Sequence, residues 1–110
     1  MRNLSYKVKT SRSYEKKYLE MVKDVILGKA RDFECRVFLF GSRASDGYKF
    51  GADFDIGIEG IGDKNFFRLK YEVSEQIEES IVPYKVDIVN FDKVSENFKK
   101  EAYKKIEIWK

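Results

Sequence analysis

The sequence has no histidine, one cysteine and one proline among its 110 residues. The absence of histidine excludes His-based catalytic triads and every metal site that depends on imidazole ligands. Because the single Cys35 cannot form a disulfide within the chain, a reducing compartment is indicated and we expect a cytoplasmic protein. With one proline and seven glycines, the chain is neither collagen-like nor a proline-rich low-complexity sequence.

Long apolar segments are missing as well. No run approaches the roughly 20 residues needed to cross a bilayer, and the N-terminal residues lack the apolar stretch of a secretory signal. We therefore expect no membrane partner. Hydrophobic residues nevertheless make up 43% and aromatic residues 15% of the chain, which is enough for one core. We predict a single domain over residues 1–110, with residues 1–12 as a flexible N-terminal arm.

The net charge of +3 is unevenly distributed. Residues 1–31 contain nine basic and three acidic side chains, residues 32–91 contain seven and twelve, and residues 92–110 contain six and four. The basic N-terminal segment is typical of a solvated helix face, although an acidic partner or a nucleic acid would also suit it. In the acidic middle segment, carboxylates that repel one another indicate a bound cation.

Hydrophobic periodicity predicts the order helix, strand, strand, helix, strand, helix. These elements cover about residues 13–29, 36–40, 53–59, 64–80, 84–91 and 94–104. We expect helix N-caps at Ser11 or Ser13, at Asp63, and at Asp92 or Ser95.

One apolar stripe of the second helix is expected in the core, namely Phe66, Leu69, Val73, Ile77 and Ile81. Residues 106–109 alternate, and they either add a short strand or extend the last helix. The order of elements predicts an α/β or α+β fold, in which helices pack on a small mixed β-sheet.

Three aspartates lie on predicted strands. Asp53 and Asp55 are two residues apart, so their carboxylates point to the same face of the second strand. Asp87 lies between apolar residues of the third strand, and it reaches the same site if the two strands are neighbours. Each signal alone has an ordinary interpretation, an exposed strand edge for Asp-x-Asp and a structural hydrogen bond for Asp87. Together they match the oxygen ligands of metal-dependent phosphoryl transfer.

The dipeptide Gly41-Ser42 ends the first strand. Glycine lets the backbone approach a ligand closely, and backbone N–H groups together with the Ser42 hydroxyl can hold phosphate oxygens. Arg43 is a candidate for a further phosphate contact. A bare Gly-Ser is usually an ordinary turn, so this interpretation depends on the aspartates that follow it.

In this order and on these elements, the residues resemble the minimal nucleotidyltransferase domain of the DNA polymerase β-like superfamily. The family pattern of Gly-Ser, a spacer, Asp-x-Asp and a later strand Asp is matched here by Gly41, Ser42, Asp53, Asp55 and Asp87. The opening Gly-Ser-Arg-Ala is similar to that of stand-alone prokaryotic members. The chain departs from many relatives at Ala52, where they have Ser, and at Ser45-Asp46, where they have Arg-Gly.

The resemblance implies a polymerase β-like fold and an Mg²⁺-dependent nucleotidyltransferase, with one or two ions and with ATP or another nucleoside triphosphate as substrate. The implied reaction moves a nucleoside monophosphate, AMP in the case of ATP, to an acceptor hydroxyl. Asp53, Asp55 and Asp87 are then the catalytic and metal-binding residues, and the nucleotide-binding residues are Gly41, Ser42 and Arg43.

Stand-alone members of this family are often antitoxins of HEPN-domain toxins, and some adenylylate a tyrosine of the toxin. The implied partner is therefore a HEPN toxin, either in a hetero-oligomer or beside a homodimer of this chain. The short chain also predicts that the acceptor, or a partner that carries it, supplies the rest of the site.

Two other functions stay open. The chain can be a binding module of the same fold that neutralises a partner by contact, through its basic first helix and exposed aromatics such as Tyr6, Tyr14 or Tyr48. It can also transfer the nucleotide to a nucleic acid or a small molecule, for which the basic segment is the only support. The three aspartates argue against a pure binding module, because a scaffold has no use for acids that repel one another.

Overall fold

The computed structural model describes the backbone of residues 4–45 and 51–110, and the side chains of residues 14–45 and 51–110. Its elements are, in chain order, α1 (Leu4–Ala30), β1 (Arg36–Phe40), β2 (Phe54–Glu59), α2 (Asp63–Glu78), β3 (Val86–Asn90), α3 (Glu96–Ala102) and β4 (Glu107–Ile108). A 3₁₀ turn at Gly41–Ala44 follows β1. Within these residues, no helix is both long and apolar enough to span a membrane.

The four strands form one sheet in the order β3-β2-β1-β4. β2 and β3 run parallel, while β1 is antiparallel to β2 and to β4. The predicted fold class, a small mixed sheet with helices packed on it, is therefore confirmed. Of the two structures expected for the tail, the strand forms, because β4 pairs with Phe38 and Leu39 of β1.

The first helix begins earlier than predicted. Residues 4–12, which the prediction places in an arm before the helix, belong to α1. The sequence from Leu4 to Leu27 contains neither glycine nor proline, so nothing local ends the helix at Ser11 or Ser13. The caps predicted at these two serines are wrong for this reason.

Of the caps predicted for the other two helices, one is confirmed and one is wrong. The cap predicted at Ser95 is confirmed, since its hydroxyl accepts a hydrogen bond from the backbone N–H of Phe98 at 3.1 Å. The cap predicted at Asp63 is wrong, because Gly62 precedes the helix at φ +87° without a side-chain cap and Asp63 is the first helical residue. Asp92 instead accepts the N–H of Gly60 at 3.0 Å, which ties the end of β2 to the turn after β3.

The main core lies between α1, α2 and one face of the sheet. The predicted stripe of α2 is buried at Phe66, Leu69, Val73 and Ile77. The prediction is wrong for Ile81, which is 71% exposed, because α2 ends at Glu78. Alternate strand residues complete this core, namely Val37, Leu39, Phe54, Ile56, Ile58 and Ile88.

The opposite face of the sheet carries a smaller aromatic core of Phe38, Phe40 and Phe91. Phe98 of α3 packs on it, with its ring centroid 6.0 Å from that of Phe40 and 5.6 Å from that of Phe91. Gly57 lies opposite Phe38 in the sheet and leaves the space that these rings fill.

The same face carries the predicted acids. Because strand side chains alternate, Asp55 and Asp87 point to the side of Phe38 and Phe91. Neither aspartate belongs to the aromatic core, and both are partly exposed. The aromatic core therefore covers one part of this face and leaves the acidic part accessible.

Tyr103, which packs against the aromatic core, makes a contribution to stability that depends on pH. Its hydroxyl donates to Oε2 of Glu59 at 2.5 Å. Burial and then the hydrogen bond to Glu59 raise the pKa of Tyr103 to about 12. The fold thus favours the neutral phenol, and the stability that this phenol contributes is present below pH ~10 and is lost as the pH rises toward the raised pKa.

We expect Tyr103→Phe to lower the free energy of unfolding by about 1 kcal/mol at neutral pH. Urea unfolding of both proteins at about pH 8 and about pH 11 should show the difference shrinking at the higher pH. Lysine titration affects both proteins alike, so it cancels in the comparison. A difference that stays constant with pH would contradict the role given to the phenol proton.

Candidate active site

The 3₁₀ turn after β1 brings the backbone against Asp55. Gly41 has a φ of +73°, which is the left-handed region that favours glycine. A Cβ at this position would lie 2.5 Å from Oδ2 of Asp55. Ser42, the next residue, is exposed, so its hydroxyl is accessible to a ligand. Glycine is therefore needed here both for the turn and for the close approach to the carboxylate.

The three predicted aspartates come together around Asp55. Asp55 and Asp87 are register partners on the parallel strands β2 and β3, and Asp53 lies just ahead of β2. Burial raises the pKa of the Asp55 carboxyl above its ordinary value, and the negative charges of Asp87 and Asp53 raise it further, whereas Lys85 lowers it. The arrangement thus concentrates negative charge that the described residues only partly offset.

The acids are suited to a cation that is also coordinated by water or by substrate phosphates. In residues 14–45 and 51–110, no group of three or more His, Cys, Asp or Glu side chains is arranged to hold a metal ion by itself. Mg²⁺ usually takes one or two protein carboxylates and completes its shell with water and substrate phosphates. Asp53 and Asp55 offer such a pair, and a cation would relieve the repulsion that raises the pKa of Asp55. That Asp87 is a further metal ligand stays a prediction.

A cavity beside the turn is lined by two lysines and one glutamate, Lys104, Lys105 and Glu101. It has a volume of about 440 Å³, and its lining joins the end of β1 and the 3₁₀ turn to α3 and the segment after it. Gly41, Ser42, Lys104 and Lys105 all contribute to this lining. The Lys104 ammonium lies 3.1 Å from Oε1 of Glu101, and Lys105 is exposed. Two lysines therefore stand beside the residues predicted to hold phosphate.

Arg43 points into the protein. Its side chain is 2% exposed, and its Nη2 lies 2.5 Å from Oε1 of Glu15 on α1. The same guanidinium donates to the backbone carbonyl of Ala52 from Nε at 3.0 Å and from Nη2 at 2.7 Å. The predicted contact between Arg43 and phosphate stays a prediction, and the contacts seen here are with the protein itself.

Sequence reasoning missed Glu15 and the two lysines. Glu15 does carry a signal, because it falls on the helical stripe that continues through Leu19, Val22 and Ile26, and an acid on a buried stripe needs a partner. Lys104 and Lys105 carry no signal, since nothing local in the sequence places them beside Gly41.

The predicted aromatic surface is described only in part. Tyr14 is 46% exposed, as expected. The side chains of Tyr6 and Tyr48 lie outside the described residues, and so does Asp46.

Comparison with known proteins identifies the family. A sequence model described as the nucleotidyltransferase domain matches residues 16–109. The chain therefore belongs to the nucleotidyltransferase domain family. A search among curated proteins gives no match.

Solved structures share the fold. A chain of a toxin–antitoxin crystallised with AMP-PNP aligns with a TM-score of 0.57 and 16% identity, covering 80% of this chain and 72% of that one. A chain of the complex between the tri-AMPylated Shewanella oneidensis HEPN toxin and an MNT antitoxin aligns with a TM-score of 0.55 and 15% identity, covering 83% and 71%. The family match thus confirms the resemblance to a nucleotidyltransferase domain, and the solved structures confirm the fold.

Proposed function

We propose that this chain is an Mg²⁺-dependent nucleotidyltransferase that moves AMP from ATP to a tyrosine hydroxyl of a HEPN-domain toxin, and that it acts as the antitoxin. The observation that carries the proposal is the contact between the Gly41 turn and Asp55, with Asp53 and Asp87 beside them. A turn suited to phosphate and acids suited to a cation thus share one accessible part of the sheet.

The similar structures support the choice of an adenine nucleotide and of a HEPN toxin as the partner. One of them is a toxin–antitoxin with AMP-PNP, and the other pairs an AMPylated HEPN toxin with an MNT antitoxin. The lysines that line the cavity beside Ser42 support a polyphosphate ligand, because Lys104 and Lys105 outnumber Glu101, the acidic residue of the same lining.

In the proposed reaction, the acceptor oxygen forms a bond to the α-phosphorus of ATP. The bond between that phosphorus and the oxygen bridging to the β-phosphate breaks, and pyrophosphate leaves with the electron pair. Asp87 takes the proton of the acceptor hydroxyl, and Ser42 with the backbone at Gly41 holds the leaving phosphates. Asp53 and Asp55 would hold Mg²⁺, which when bound neutralises charge on the phosphates. The protein contributes mostly positioning.

Labelled ATP tests the proposal on the chain co-purified with its partner. With Mg²⁺, label from α-labelled ATP should enter the partner, label from γ-labelled ATP should not, and chelation of Mg²⁺ should stop the transfer. Peptide mass spectrometry should find AMP on a tyrosine. Transfer of the γ-label would show a kinase instead and refute the proposal.

The contact-only alternative gives a different result. A binding module would neutralise the toxin without incorporating α-label, and calorimetry would find no binding of ATP with Mg²⁺. Label on RNA or on a small molecule rather than on the toxin would keep the enzyme class and overturn the acceptor.

Gly41→Ala is expected to lower the rate of AMP transfer about 100-fold, because the added Cβ pushes the Asp55 carboxylate and the turn apart. The left-handed φ adds about 1–2 kcal/mol of destabilisation. Gly62→Ala is the matched control, since Gly62 has a φ of +87° but nothing within 4 Å of a built Cβ. Because its ψ of 151° puts Gly62 in a region nearly confined to glycine, this variant should lose at least as much stability and keep its transfer rate. Equal rates for both variants would contradict the role of Gly41.

A further inference from the structure

An ion pair is fully buried behind the candidate active site. The side chains of Arg43 and Glu15 are 2% and 1% exposed, and their charged atoms lie 2.5 Å apart. The guanidinium carbon also lies 4.7 Å from the ring centroid of Phe54 and 5.5 Å from that of Tyr84. The pair is therefore enclosed by α1, the 3₁₀ turn and the residues around β2 and β3.

The pair connects both ends of the segment between β1 and β2. Arg43 belongs to the turn that carries Gly41 and Ser42, and its two hydrogen bonds to the Ala52 carbonyl hold the residue directly before Asp53. Oε1 of Glu15 accepts the N–H of Gly51 at 3.3 Å. The buried pair thus contacts both ends of the segment that connects the Gly41-Ser42 turn to Asp53.

Stability alone is a weak reason for such a pair. Burying two charges has a desolvation cost that apolar side chains of similar size avoid. Among the described residues, Oε2 of Glu15 is buried with no hydrogen-bond partner. A pair of this kind is better explained by the geometry that it imposes on its surroundings.

We propose that Glu15 and Arg43 are a positioning pair that fixes Asp53 relative to the Gly41-Ser42 turn. This inference rests on the proposed nucleotidyl transfer for its kinetic consequence, but the geometric consequence stands apart from it. Breaking the pair releases the Ala52 carbonyl and lets Asp53 move away from its place beside Asp55. Neither residue of the pair touches the substrate.

Glu15→Gln, Arg43→Lys and the double variant test the pair. Each single change should lower kcat for AMP transfer about 10- to 100-fold and leave KM for ATP nearly unchanged. The double variant should be no worse than either single one, because both changes disrupt the same unit. Amide hydrogen exchange, measured without nucleotide or metal, should speed up at residues 51–55. Arg68→Lys on α2 is the matched control, since Arg68 makes an exposed ion pair with Glu72.

Two results would overturn the inference. If Arg43 contacts phosphate directly, Arg43→Lys raises KM for ATP while Glu15→Gln changes neither constant. If the pair serves stability only, melting temperatures fall while kcat of the folded variants and exchange at residues 51–55 stay as in the wild type.

Should the wild type itself transfer no AMP, the proposed function fails and the exchange rates alone test the positioning role of the pair. Glu15→Gln, which keeps the size of the side chain, serves where Arg43→Lys does not fold.

Discussion

Replacing Asp53 and Asp55 together by asparagine is expected to reduce AMP transfer at least about 1000-fold and, without Mg²⁺, to raise the melting temperature. The first effect follows from the loss of both carboxylates proposed to hold the cation. The second follows from the repulsion at Asp55, whose pKa is raised by burial and by its acidic neighbours. A carboxyl with a raised pKa opposes folding when it is ionised, so its removal stabilises the protein near neutral pH.

The pH dependence separates the two effects. The penalty from Asp55 is present above its raised pKa and vanishes below the pKa of the unfolded state, where the carboxyl is protonated in both states. Melting curves with a chelator at about pH 7 and about pH 4 should therefore show the variant's advantage shrinking at the lower pH. Asp24→Asn, an exposed change on α1, controls for the loss of a negative charge and should leave transfer intact.

Each readout can fail on its own. A double variant that labels the toxin as well as the wild type does would refute the assignment of the acids. A variant that melts at the same or a lower temperature would refute the argument from repulsion, while the catalytic assignment would stand.

Gly57→Ala is expected to destabilise the fold by about 3 kcal/mol, a large part of the stability of a domain of this size. A Cβ at Gly57 would lie 2.4 Å from Cε2 of Phe38 and 2.7 Å from Cε1 of Phe91. Both rings are completely buried and pack on each other with centroids 4.7 Å apart. Neither ring can move without opening the aromatic core.

Urea unfolding measures this loss. Gly28→Ala on α1 is the control, because nothing lies within 4 Å of a Cβ built there and the change should add about 0.5–1 kcal/mol of stability. A second change, Phe38→Leu, should recover part of the loss at Gly57 by making room for the methyl group. If Gly57→Ala unfolds at the same urea concentration as the wild type, the packing argument is wrong.

Local sequence signals predict the elements where the chain itself marks the ends. Both ends of β1 are predicted correctly, because the apolar run begins at Val37, directly after Arg36, and stops at Phe40, before Gly41. The start of α1 is missed, since serine can cap a helix but does not have to when helix-forming residues precede it. Ile81 has the right spacing for the stripe of α2, but spacing carries no information about where the last turn unwinds.

The candidate site is predictable to the extent that its residues share strands. The i, i+2 spacing predicts Asp53 and Asp55 on one face of a strand, but β2 begins at Phe54, so Asp53 lies just before the strand, near enough for its charge to act on Asp55. Only the order of the strands decides whether Asp87 joins them. The ion pair between Glu15 and Arg43 joins residues far apart in the chain, and an arginine after Gly-Ser suits a phosphate and a buried carboxylate equally well. Tertiary packing, which the local pattern does not encode, chooses between these partners.

The acidic cluster depends on the register in which the parallel strands β2 and β3 pair. Asp55 and Asp87 meet because they occupy the same rung of the sheet, although α2 and its flanking turns separate them along the chain. A slip of one residue would turn Asp87 toward the main core and present an apolar neighbour to Asp55 instead. The length of the crossover through α2 therefore sets the spacing of the acids. An insertion in this crossover would shift Asp87 relative to Asp55 and lower activity, although it replaces none of the proposed catalytic residues.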